Sequence, residues 1–240
     1  MKKIGVISII CLFMLSCIKV SAVEKAVDNS PGCQVVKFRE ELKKIDEEMI
    51  KGELKYPYLV DEKNEFISSI NSDLSNDIEV WISDLKDLSV KYKEDMKKNN
   101  LSEIRPFEVA SNYKITLNRC PYLSYYIDFY QYTGGAHGIT TRKTYNFNIK
   151  DKKSIKLKDL FIEGYDYKKV INNEITKQIQ KDKDNFFEEG KAFKGISDDQ
   201  RFTIGQKGIE VYFQLYDIAP YVYGIPAFNI PYELLKDGLK

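Results

Sequence analysis

Histidine is nearly missing from this chain: His137 is the only one in 240 residues. Catalytic zinc is held by three protein ligands, usually with two or more histidines among them, so nearly every zinc hydrolase arrangement is excluded. No His-Glu-x-x-His, phosphate-cradling glycine loop or Gly-x-Ser-x-Gly nucleophile turn occurs. No cofactor motif is present, and no cofactor is expected. An excess of charge is missing too, with 37 basic and 36 acidic side chains. That balance gives no electrostatic ground for binding nucleic acid. After the first 22 residues no apolar run is long enough to cross a bilayer. Two enzymatic readings stay open: a Ser-His-Asp triad on His137, since triads assemble in space, and a carboxylate pair, since carboxylates are plentiful. Neither has a sequence signature, and a non-enzymatic protein is the expectation.

What is present begins with an export signal. Lys2 and Lys3 precede an apolar core from Ile4 to Cys17, and Val20-Ser21-Ala22 offers the small residues of a cleavage site. Residues 1–22 are therefore read as a signal peptide. The rival reading takes Met14-Leu15-Ser16-Cys17 as a loose lipobox with Cys17 lipidated, the one route by which a membrane would be a partner. Either way the protein is expected outside the cytoplasm, secreted or in the cell envelope. Removing Lys2, Lys3 and Lys19 leaves 34 basic against 36 acidic residues, mildly suited to a basic partner. Only Cys33 and Cys120 remain. An even pair in an oxidising compartment suggests one disulfide closing a loop of roughly 87 residues; two free thiols are the alternative.

Along the chain, Val35, Phe38, Leu42, Ile45 and Met49 recur at helical spacing, whereas Ile50, Gly52, Leu54 and Tyr56 alternate as in a strand ending at Pro57. A long amphipathic helix follows, with Asp61 as N-cap and a stripe of Phe66, Ile70, Leu74, Ile78, Trp81, Leu85, Leu88 and Tyr92. It ends at Lys97-Lys98-Asn99-Asn100. From Phe107 the period is two, through three strands with turns at Cys120-Pro121, at the glycines near His137, and at Lys150–Lys153, an antiparallel meander. A second helix carries Tyr167, Val170, Ile171, Ile175 and Ile179, and strands return at Arg201–Ile204, at Ile209–Leu215 and before Pro231. Residues 180–200 read as a solvated continuation. The pattern indicates an α+β fold, antiparallel sheets covered by helices in two closely joined subdomains.

Two segments stand out as candidate binding loops. Tyr132-Thr133-Gly134-Gly135-Ala136-His137-Gly138 is glycine-shaped and aromatic, and so is Pro220-Tyr221-Val222-Tyr223-Gly224 with its proline. His137 reads either as a turn imidazole bonded to backbone or as a ligand contact. Tyr132, Tyr221 and Tyr223 combine contact area with a polar tip, against the alternative of strand-face packing.

The first of these segments, with Leu157-Lys158-Asp159-Leu160-Phe161 and the run from Gly208 through Tyr216-Asp217-Ile218-Ala219-Pro220-Tyr221 to Ile230-Pro231-Tyr232, resembles a known family. It is similar to the paired domains of unknown function in the extracellular part of RsiV-type anti-sigma-V factors, whose relatives precede the catalytic domain of PdaC-type peptidoglycan deacetylases. Residues 34–146 resemble the PdaC-like module and residues 147–240 the RsiV-like one. The resemblance implies an α+β fold and, from the anti-sigma factors, binding of lysozyme. No sigma-binding segment precedes the apolar stretch, so signalling is not carried over, and neither is deacetylation. What it implies is an exported module that binds a lysozyme-like muramidase through Tyr132, Thr133, Gly134, Gly135, His137, Pro220, Tyr221 and Tyr223. The alternative is a module that binds cell-wall glycan directly.

Overall fold

A computed structural model describes residues 35–61, 63–100 and 105–240. The export signal at 1–22, Cys17 and Cys33 lie outside the described residues. The first half forms a six-stranded sheet in the order β1 (Lys37–Asp46), β2 (Ile50–Val60), β3 (Phe107–Arg119), β4 (Tyr122–Tyr132), β5 (Ile139–Asn148) and β6 (Lys153–Ser154). Between β2 and β3 the chain crosses over through a single long helix, α1 (Glu65–Lys98). The second half adds α2 (Tyr167–Gln180), a three-stranded antiparallel sheet of β7 (Arg201–Ile204), β8 (Gly208–Tyr212) and β9 (Ala227–Pro231), and the short α3 (Tyr232–Leu235).

The α+β expectation holds in its main lines: helices cover sheets, and β3, β4 and β5 form the antiparallel meander. One pairing departs from it. Because α1 carries the chain from the far end of β2 back to the end where β2 begins, β2 and β3 run parallel, Ile50–Leu54 against Phe107–Ser111. The helical spacing at residues 35–49 is also overturned, since β1 is a strand paired antiparallel to β2 over its whole length. Burial explains the misreading. Phe38 and Leu42 are 41% and 57% exposed while Ile45 is buried, so these apolar residues never share one buried face. Ten ladder pairs outweigh a short local period.

The strand also does not stop at Pro57, which lies opposite Glu40 in the hairpin. Beyond Leu54, β2 is paired on one edge only, so a residue without an N–H is tolerated there. At the start of α1 the cap is Asn64 rather than Asp61. Asn64 Oδ1 accepts from the Phe66 and Ile67 amides at 3.2 and 3.4 Å, while Asp61 offers its carbonyl to the Asn64 N–H. Ile67, Ile70, Leu74, Ile78, Ile82 and Leu85 make the buried stripe of α1, and Leu88 is exposed. They meet Leu54, Val109, Leu123 and Ile127 from the sheet. Each such side chain contributes roughly 1.5–3 kcal/mol on burial. Trp81 packs edge-on to Phe129 and donates its Nε1–H to Gln131 at 2.9 Å.

A second core lies under α2. Ile171, Ile175 and Ile179 pack with Ile209, Val211, Phe228 and Ile230 of the small sheet. Residues 180–200 are not simply a solvated extension, because Phe186 and Ile196 turn inward to the same core. The two halves meet through buried polar groups. Ser124 Oγ donates to Asn146 Oδ1 at 2.6 Å and accepts from the Ile204 N–H at 2.8 Å. Asn146 Nδ2 donates to the Phe202 carbonyl at 2.8 Å. Beside them the Arg142 guanidinium forms two bonds to Asp128, at 2.7 and 2.6 Å. It lies 3.7 Å from the ring centre of Tyr126 in the large sheet and 4.7 Å from that of Tyr212 in the small one. Burial works against the charge, but the Asp128 carboxylate outweighs it, and the guanidinium pKa is raised further.

Candidate functional site

The two loops singled out in sequence, 132–138 from the end of β4 and 220–224 after β8, come together in space. The His137 and Tyr221 rings stack with centres 3.8 Å apart and planes 20° from parallel. Tyr216 completes the cluster, its ring centre 5.9 Å from that of Tyr221 and 6.3 Å from that of His137. His137 is held from both sides. Nδ1–H donates to the Gly138 carbonyl at 3.0 Å, and Nε2 shares a hydrogen bond with the Tyr216 hydroxyl at 3.1 Å.

Each loop owes its path to particular residues. Tyr132 donates its hydroxyl to the Gly135 carbonyl at 2.9 Å and closes the first loop on itself. Gly134 and Gly135 have φ of 100° and 94°, and a Cβ on either would meet nothing within 4 Å. They are there for dihedral freedom. Gly138 is there for space, since a Cβ would stand 2.4 Å from the Tyr130 ring. In the second loop Tyr216 has φ of 68°, the left-handed region, a strain of about 1–2 kcal/mol for a side chain of this kind. Strained non-glycine residues cluster where a side chain must be aimed. Pro220 then leads into a single turn, Tyr221–Tyr223, that ends at Gly224 with φ of 79°.

The surface so made is aromatic and apolar. Val222, at the tip, is 90% exposed, Tyr216 is 47% exposed, and His137 is open to solvent. Thr133, Gly134 and Gly135 border it on the first loop. Tyr223 does not join. It turns the other way, packs on Phe186 with ring centres 4.8 Å apart, and has its phenol pKa raised by that burial and by Asp182. Tyr216 is the member that sequence reading missed; Val222 lay inside the candidate loop but was not named among its contact residues. Tyr216 lies in a quoted family segment, but nothing in its spacing marks it as part of a cluster.

The two ring nitrogens of His137 are engaged by a backbone carbonyl and a phenol. Among the described residues no group of three His, Cys, Asp or Glu side chains is arranged to hold a metal ion, and no helix is long and apolar enough to cross a membrane.

Comparison with known proteins fits this division into halves. Residues 43–140 match the family described as Deacetylase PdaC, and residues 158–233 match the protein of unknown function family DUF3298. The peptidoglycan-N-acetylmuramic acid deacetylase PdaC of Bacillus subtilis is 30% identical over 137 residues. That alignment covers 55% of this chain and 29% of the deacetylase. A crystal structure of a DUF3298 family member from Bacteroides fragilis superposes with a TM-score of 0.67 at 22% identity, over 85% of this chain and 94% of that one. A DUF3298 family protein from Pseudomonas aeruginosa gives 0.52 at 17% identity, over 90% and 97%. Both share the fold.

Proposed function

Since the chain carries a PdaC-type module followed by a DUF3298 domain, we propose that it is an exported protein of the cell envelope that acts by binding, not by catalysis. Its partner is a lysozyme-like muramidase, engaged through the two-loop cluster. The observation that carries this reading is the His137–Tyr221 stack. It joins a loop from each module into one exposed aromatic surface with Val222 at its summit. Rigid aromatic groups beside an exposed apolar tip are what interface anchors are made of. An envelope setting is supported by the deacetylase relative, whose name places its chemistry on peptidoglycan. The slight acidic excess of the mature chain suits a basic muramidase.

The test is calorimetric titration of residues 23–240 with a c-type lysozyme, followed by the Tyr221→Ala and Val222→Asp variants. Each substitution is expected to weaken binding by tenfold or more, about 1.4 kcal/mol or above. Tyr223→Ala, outside the cluster, is expected to leave affinity within about threefold. Equal affinity in all four proteins would move the interface elsewhere.

A second reading, direct binding of wall glycan, is favoured by the same exposed rings, which present flat faces of the kind sugars stack on. Co-sedimentation with purified sacculi in the absence of lysozyme separates the two.

We also propose that Cys33 and Cys120 are joined. Three residues after Cys33, Val36 is clasped by Asn118, two residues before Cys120. Val36 N–H donates to Asn118 Oδ1 at 3.1 Å, and Asn118 Nδ2 donates to the Val36 carbonyl at 2.7 Å. Cys120 itself is engaged rather than free. The exported chain is expected to show no reactive thiol under denaturing conditions, and reduction to lower its stability by about 3–5 kcal/mol. Two titratable thiols in the untreated protein would refute the bridge.

A further inference from the structure

Away from the aromatic loops, a cleft of about 790 Å³ runs along the outer edge of β5, lined among others by Lys143, Thr144, Ser154, Lys156, Asp198 and Arg201. The edge is closed in part. At Arg142 the backbone N–H donates to Gln214 Oε1 at 2.9 Å, and the carbonyl accepts from Gln214 Nε2 at 2.8 Å, so one side-chain amide occupies the place of a neighbouring strand. At Asn146 the carbonyl accepts from the Ile155 N–H at 2.8 Å, and from Phe147 onward β6 takes over.

Antiparallel strands turn alternate residues to opposite edges. Thr144, midway between Arg142 and Asn146, therefore directs its N–H and C=O outward as they do. Among the described residues neither group has a partner. Thr144 is half-buried, in the wall of the cleft. An unpaired donor and acceptor side by side on a strand match one residue of an extended chain, which returns a C=O and an N–H in the same register. The gap from Arg142 to Asn146 is about 13 Å, so it admits roughly three residues and no long strand.

The charges in the cleft say which end of such a chain is read. Lys143 pairs with Asp77 at 2.6 Å, Lys156 with Asp199 at 3.0 Å, and Asp198 with Lys168 at 2.6 Å. Arg201 is exposed and enters no ion pair among the described residues. Its fork of N–H donors suits a carboxylate.

We propose that this cleft binds a short extended peptide with a free carboxyl terminus, its middle residue bridged to the Thr144 backbone and its carboxylate on Arg201. The site is separate from the aromatic loops and stands or falls without them.

The experiment is titration of the 15N-labelled chain with trialanine, with C-terminally amidated trialanine as control, and repeated on the Arg201→Gln variant. Expected is a saturable shift of the Thr144 amide, with a Kd on the order of 1–10 mM for so small a ligand. Amidation and Arg201→Gln are each expected to weaken it by about tenfold, the value of one charge-assisted contact. Arg201 is exposed, so the variant keeps its fold, which its own spectrum reports. A Thr144 amide that does not move, or one that moves equally with the amidated peptide or in the variant, overturns the proposal.

Discussion

Gly52→Ala is expected to leave no folded protein, or to cost more than about 4 kcal/mol in urea unfolding followed by circular dichroism. Gly52 lies opposite Ile45 on one side and Val109 on the other, at the one place where the sheet is paired both antiparallel and parallel. A Cβ there would stand 1.7 Å from the Val109 carbonyl oxygen and 2.7 Å from its carbon. These are backbone atoms of a strand held in turn by β4, so no side-chain rotation clears the overlap. Gly134→Ala is the matched control. Its Cβ meets nothing within 4 Å, and its cost is the dihedral strain alone, about 1–2 kcal/mol. If Gly52→Ala stayed within about 1 kcal/mol of the parent, the parallel junction of β2 and β3 would be wrong.

The next largest effect belongs to Arg142→Ala, which is expected to destabilise by about 3–5 kcal/mol because it leaves the Asp128 charge without its partner in a half-buried place. It also empties the space between Tyr126 and Tyr212, on which the two halves lean. Arg142→Lys keeps the charge but loses the second bond to Asp128 and the planar contact with the rings. It should fall between parent and alanine variant. The Asp128→Asn, Arg142→Met pair tests the same point from the other side, since removing both charges is milder than removing one. A loss below about 1 kcal/mol for Arg142→Ala would mean that the other links, the Ser124 and Asn146 bonds, the Gln214 clasp and the His137–Tyr221 stack, hold the halves together without it.

Those two residues show where sequence reading stops. The long stripe of α1 and the alternation of β3, β4 and β5 were legible because many turns or many residues repeat one period. Helix α2 was legible for the same reason. Residues 35–49 were misread because a five-residue apolar pattern fits a helix by spacing, while the hairpin that makes it a strand is written in residues 50–60. Asp61 and Asn64 are equally good caps in isolation, and which one serves depends on where the helix enters the sheet. In the candidate site, His137 and Tyr221 stand out in sequence for composition and for family resemblance. Their stacking across 84 positions of chain has no local sign, and neither does the departure of Tyr223 toward Phe186. Arg142 looks like one more charge on a strand. Only its position between two sheets makes it structural.

The Gln214 clasp on Arg142 has a consequence for the molecule's company. A sheet edge with a free row of N–H and C=O groups invites the same strand of another copy. Here Gln214 covers one position of β5 and Ile155 another, with a single residue open between them. An edge interrupted at Arg142 can hold a small guest but offers no continuous row for a second strand. The clasp is supplied from the far half of the chain, so this stretch of the β5 edge is covered only when both halves have folded.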